Sequence, residues 1–121
     1  MKNVLSWFEI AVNDMDRAVR FYEDVLSVNL RREVFSGMPM AVFPYQAPGA
    51  GGALIQDAKR PVGAGGSLVY VDVTGRLDDC VSRVAGAGGA VVLPRTAIGK
   101  DGFIALIRDS EGNTLGLHSA Q

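Results

Sequence analysis

An internal repeat is the feature of this sequence that most restricts the fold. The order strand, helix and three further strands occurs twice within 121 residues. In the first copy, the apolar segment Leu5–Val12 leads to Asp14, whose side chain suits a helix start, and to an amphipathic helix over Asp14–Ser27. In the second copy, the strand Leu68–Val73 leads to Thr74, a plausible cap, and to a second amphipathic helix.

The two copies align at an offset of 61 or 62 residues. The alignment pairs Val12 with Val73, Met15 with Leu77, and Ile55 with Leu117. The predicted fold class is therefore α+β, with two βαβββ modules whose curled mixed sheets surround a cleft and carry their helices on the outside. We expect a single domain over residues 1–121, with module one at about 1–57, a linker at about 58–65 and module two at about 66–121.

Glycine- and proline-rich segments separate the later strands of each module. The strands expected there are Asn29–Phe35, Met40–Tyr45, Ala53–Gln56, Ala90–Leu93, Phe103–Arg108 and Thr114–His118.

Composition excludes several classes of partner. The net charge is −1 and no basic block occurs, so we expect no nucleic-acid and no membrane partner. The single cysteine, Cys80, leaves no internal disulfide and fits a small core residue. No apolar stretch reaches the ~18 residues of a membrane span, and no signal-peptide pattern is visible. A cytoplasmic location is the expectation.

Two motifs resemble a known family. The first helix and its approach contain Val12, Asp14, Ala18, Phe21, Tyr22, Val25 and Leu26 in the pattern Val-x-Asp-x-x-x-Ala-x-x-Phe-Tyr-x-x-Val-Leu. Near the end, the turn Asp109–Asn113 reads Asp-Ser-Glu-Gly-Asn. Together they resemble the vicinal oxygen chelate superfamily, which includes glyoxalase I, extradiol dioxygenases, and bleomycin- and fosfomycin-resistance proteins. The resemblance implies the paired-module fold and a homodimer, whereas the family's activities differ widely on one scaffold.

The resemblance also locates the positions that hold a divalent metal in metal-dependent family members. In this sequence they fall on Trp7, Leu54, Leu68 and Gly116. None of these residues offers the imidazole, carboxylate or thiolate that such an ion needs. We therefore expect no metal and no other cofactor.

Strand alternation places a second set of residues beside these positions. Residues two further along a strand share its face, about 7 Å away. They are Glu9, Gln56, Tyr70 and His118, and we expect Glu9 beside Gln56 and Tyr70 beside His118. The complete candidate ligand-binding set is Trp7, Glu9, Leu54, Gln56, Leu68, Tyr70, Gly116 and His118.

This pattern predicts a metal-independent protein that binds an apolar or amphipathic small molecule in the cleft. The alternative is a glyoxalase-like lyase or isomerase, or a dioxygenase, with Glu9 or His118 as general base. Both readings leave open whether each cleft is built within one chain or between two.

Overall fold

The structure, a computed structural model, describes residues 4–121. Residues 1–3, the expected start of module one, lie outside the described residues. The elements of module one are β1 (Trp7–Ala11), α1 (Met15–Leu26), β2 (Arg31–Phe35), β3 (Met38–Val42) and β4 (Gly51–Ile55). Those of module two are β5 (Tyr70–Asp72), α2 (Leu77–Val84), β6 (Ala90–Ala97), β7 (Phe103–Arg108) and β8 (Thr114–Ser119).

The eight strands form two four-stranded mixed sheets. Sheet A has the order β1-β4-β3-β2 and sheet B the order β5-β8-β7-β6. In each sheet the first and last strands of the module are parallel neighbours and the other pairs are antiparallel. No strand pairing joins the sheets within residues 4–121, so they do not close into a barrel. The α+β prediction with two βαβββ modules is confirmed.

Several strand bounds differ from the prediction for local reasons. Strand β3 begins at Met38, not Met40, because Ser36 and Gly37 both have positive φ and return the chain in a two-residue loop. Strand β6 continues past Leu93 to Ala97 and includes Pro94. As β6 is an edge strand of sheet B, the missing N–H of proline is tolerated there.

The two helices begin in different ways. Asp14 caps α1 as predicted, since its Oδ1 accepts a hydrogen bond of 3.0 Å from the Arg17 backbone N–H. Thr74 does not cap α2, which begins at Leu77 after Arg76. Thr74 instead donates its backbone N–H and its hydroxyl to Asp72. The predicted cap at Thr74 is wrong because the carboxylate two residues earlier engages the threonine in a turn.

A single core unites the two modules. It includes side chains from both helices and from the helix side of both sheets, and the two helices pack against each other. Arginines of module two also bind the end of α1: Arg76 Nη1 donates to Leu26 O at 2.6 Å, and Arg83 Nη2 to Val25 O at 2.9 Å. The opposite face of each sheet carries no helix, and we call it the helix-free face. Within the described residues, neither helix is long and apolar enough to cross a membrane.

The turn Asp109–Asn113 ties the β7–β8 hairpin to module one. Buried Tyr22 donates its hydroxyl to Asp109 Oδ2 at 2.6 Å, and Asn113 Nδ2 donates to Ala11 O at 2.8 Å. Burial, together with the Asp109 charge, raises the pKa of Tyr22 well above its usual value. The sequence predicted a hairpin turn here, and the structure adds that its polar side chains hold the modules together.

Candidate functional site

The register of β1 and β4 decides which side chains of module one share a face. Glu9 lies beside Ala53, and Ile10 beside Leu54. Ile10 and Leu54 both belong to the core on the helix side, and Leu54 is fully buried there. Glu9 therefore lies on the helix-free face. The expectation that Leu54 faces the cleft is wrong, because the register places it one residue out of phase.

Gln56 lies beyond the end of β4 and does not accompany Glu9. Its Oε1 accepts a hydrogen bond of 2.9 Å from the backbone N–H of Met15, the first residue of α1. The amide thus satisfies one of the free N–H groups at the helix start. The predicted Glu9–Gln56 pair is wrong, and Gln56 supports the helix.

Module two brings together a different pair from the one expected. Tyr70 lies beside Gly116, and His118 lies beside Asp72. All four alternate with Val71 and Leu117, which pack on the core side, so they lie on the helix-free face of sheet B. The His118 ring is bonded through Nε2 to the backbone oxygen of Asp101 at 2.7 Å. The predicted Tyr70–His118 pairing is wrong by two residues. Leu68 precedes β5 and is exposed.

Glu9 contributes its carboxylate to the largest cleft in the described part of the chain. Arg60 Nη1 donates to Glu9 Oε1 at 2.6 Å, and Trp7 Nε1 donates to Glu9 Oε2 at 3.3 Å. The cleft has a volume of about 540 Å³, and its walls include Arg60, Ser67 and Thr114. The donors expected for Glu9 were Tyr70, Gln56 and His118, and this expectation is wrong. Sequence reasoning missed Arg60 because it lies in the linker, where no periodicity fixes a side-chain direction.

The implied metal positions are occupied by groups that cannot bind a cation. A Cβ added at Gly116 would lie 2.3 Å from the ring of Tyr70, so the ring fills the space that a ligand side chain would need. The Trp7 ring makes an edge contact with Tyr45 at 5.8 Å between centroids. Across residues 4–121, no three His, Cys, Asp or Glu side chains are placed to hold a metal ion together.

Comparison with known proteins identifies the family. The sequence matches the profile of the Glyoxalase/Bleomycin resistance protein/Dioxygenase superfamily over residues 4–117. The chain belongs to this superfamily. No curated protein matches the chain.

Solved structures support the superfamily fold. A glyoxylase/bleomycin resistance protein/dioxygenase domain from Frankia sp. EAN1pec is 20% identical, with a TM-score of 0.74 and coverage of 98% of each chain. A glyoxalase/bleomycin resistance protein from Albidiferax ferrireducens T118 is 17% identical, with a TM-score of 0.72 over 97% of this chain and 98% of that one. The genomically encoded fosfomycin resistance protein FosX from Listeria monocytogenes is 15% identical, with a TM-score of 0.70 over 100% of this chain and 94% of that one. At these identities the likeness establishes the fold alone.

Proposed function

We propose that this protein binds a small apolar or amphipathic molecule, without a metal, in the cleft beside Glu9. The observation that carries the proposal is the position of the Glu9 carboxylate, which lines the 540 Å³ cleft and is held by Arg60 and Trp7. A concave site with apolar walls and a few fixed polar groups is typical of small-molecule binding. The superfamily fold agrees with this function but does not specify a ligand.

The alternative is a lyase- or isomerase-like enzyme, or a dioxygenase. A general base must lie within hydrogen-bond reach of the proton that it removes. Glu9 lines the cleft, whereas His118 is bonded to Asp101 and is absent from the cleft wall. An enzymatic role would therefore rest on Glu9. A pH–rate profile with a candidate substrate would separate catalysis from binding, because a binder shows no turnover at any pH.

Changing Glu9 to glutamine tests the site. The Glu9–Arg60 pair is partly hydrated, with side chains 26% and 51% exposed, so we expect the stability loss to stay below about 1 kcal/mol. Ligand affinity should fall by about 1.5–3 kcal/mol, because a charge-assisted hydrogen bond is lost. Isothermal titration with compounds that raise the melting temperature in a thermal-shift screen measures this change.

The matched control for this test is Glu33→Gln. Glu33 also forms a surface pair, with Arg31, but does not line the cleft. Equal affinities in the wild-type protein and in Glu9→Gln would remove Glu9 from the site.

We expect purified protein to contain no stoichiometric divalent metal. The reason is the donor set: Trp7, Leu68 and Gly116 occupy three of the implied ligand positions, and Ala53 stands beside Glu9 in β4. Elemental analysis after purification without chelators provides the measurement. About one zinc, nickel, manganese or iron per chain would contradict the proposal.

We further propose that the protein is a homodimer. Large apolar side chains of the two sheets are exposed in the single chain, among them Phe35 at 65%, Tyr70 at 46% and Trp7 at 37%. A second copy could cover these surfaces and complete the cleft, because no pairing joins sheets A and B within the described residues. Sedimentation at micromolar concentration should give twice the chain mass, and a monomer would contradict this. The cytoplasmic location expected from the sequence stays a prediction.

A further inference from the structure

A second cavity lies between the two modules, away from Glu9. It has a volume of about 370 Å³ and is bounded by the end of α1, the β1–β4 edge of sheet A and the β5 edge of sheet B. This volume is at the lower end of the range for small-molecule sites, about 300–1,000 Å³. The linker, Glu9 and Arg60, which line the first cleft, take no part in this one.

Aromatic rings and glycines give this cavity flat apolar walls. Phe8, Phe43, Tyr45 and Tyr70 contribute rings, and Phe8 and Phe43 lie 5.7 Å apart between centroids. Gly52 lies under the ring of Phe8, because a Cβ there would be 2.3 Å from the ring. Flat walls of this kind favour a planar aromatic molecule, which can stack on a ring or meet its edge.

Two opposite charges complete the lining. Asp72 Oδ1 accepts both hydrogen bonds from Thr74, and Oδ2 has no hydrogen-bond partner among residues 4–121. The Thr74 bonds lower the pKa of Asp72, so the carboxylate is charged at neutral pH. Arg76 uses Nη1 for Leu26 O, and its other guanidinium nitrogens make no hydrogen bond within the described part of the chain. The cavity therefore offers one acceptor and several donors with a net charge near zero.

These features restrict the ligand. An anionic head group would be attracted by Arg76 but repelled by Asp72, and a cationic one the reverse. An uncharged group with both a donor and an acceptor can use both residues without repulsion. We propose that this cavity is a second binding site, for a small planar aromatic molecule that carries a neutral donor–acceptor group such as a primary carboxamide.

Three probes with the same ring test this proposal: 2-naphthamide, 2-naphthoate and 2-naphthylmethylammonium. Each is titrated into ¹⁵N-labelled protein, and the backbone amide signals of Gly51 and Gly52 in the cavity wall are followed. Ring currents from a bound naphthalene should shift both signals, whereas Gly63 and Gly65 in the first cleft should stay in place. We expect 2-naphthamide to bind at least tenfold tighter than either charged probe.

The variant Asp72→Asn tests the charge argument directly. Asparagine keeps the shape and can still accept the Thr74 hydrogen bonds, but it removes the negative charge beside Arg76. The variant should weaken 2-naphthamide at least fivefold and strengthen 2-naphthoate. The control is Asp79→Asn, an exposed aspartate of α2 outside the cavity, which should change neither affinity. The proposal is overturned if no probe shifts Gly51 and Gly52, if the three probes bind equally, or if Asp72→Asn leaves the preference unchanged.

Discussion

Replacing Glu111 with alanine is expected to lower the free energy of unfolding by about 2–4 kcal/mol, a large part of the stability of a small domain. The Glu111 side chain is fully buried and receives hydrogen bonds from Arg17 Nε at 2.6 Å and from the backbone N–H groups of Asn13 and Asp14. Its loss removes the acceptor of two N–H groups at the entry to α1 and separates β8 from module one. The estimate stays below that for a fully buried pair because Arg17 is half exposed and can be hydrated.

The same residue should make stability depend on pH in acid. Burial opposes ionisation of Glu111, but the hydrogen bonds from Arg17, Asp14, Asn13 and Ser110 outweigh it and lower its pKa from 4.5 to about 2. The unfolded chain takes up the proton near pH 4.5 and the folded chain only near pH 2. The stabilisation is therefore complete above pH 4.5 and is lost as the pH falls to 2, by about 2–3 kcal/mol.

Comparison with Glu111→Gln isolates this effect. The difference in unfolding free energy between wild type and variant should be largest at pH 6 and should shrink as the pH falls toward 2.5. The lowered pKa values of Asp16 and Asp72 affect both proteins equally and cancel in the difference. Glu33→Gln, on an exposed pair, should show no such trend. A constant difference across this range would mean that the Glu111 charge does not stabilise the fold.

The repeat made the fold predictable but misplaced half of the site by one residue. The offset of 61 residues for the first strands is correct in effect, since Glu9 and Tyr70 occupy equivalent positions beside Ala53 and Gly116. For the last strands these pairs require an offset of 63, from Ala53 to Gly116, where the sequence suggested 62. Because strand side chains alternate, this single residue exchanges the two faces and moves Leu54 from the cleft to the core.

Other contacts could not be read from periodicity at all. Arg60 reaches Glu9 across 51 positions, and Tyr22 reaches Asp109 across 87. Such partners depend on how loops cross the surface, and hydrophobic patterns report only which face of an element is buried. The motif around Asp109 indicated the family correctly, yet its physical role, a polar tie between the modules, required the structure.

The glycines of the segment 86–89 differ in constraint although the sequence presents them alike. We expect Gly89→Ala to lower the unfolding free energy by about 3 kcal/mol. An added Cβ would lie 2.3 Å from the backbone oxygen of Arg108 and 2.6 Å from the ring of Phe21. The Phe21 ring is buried, and Arg108 is held by its pairing with Ala90, so neither can withdraw without disturbing sheet B or α1.

Gly86→Ala is the matched control. It adds the same methyl group three residues earlier, where nothing lies within 4 Å, and neither Gly86 nor Gly89 has a positive φ. It should therefore be neutral or stabilise by up to about 1 kcal/mol, through lower entropy of the unfolded chain. Chemical denaturation of both variants measures the difference. Since Phe21 belongs to module one and Arg108 to module two, a large loss only in Gly89→Ala would locate the cost at the contact between the modules. Equal stabilities would mean that β6 can move away from α1, and that the two modules pack less tightly than the buried Phe21 indicates.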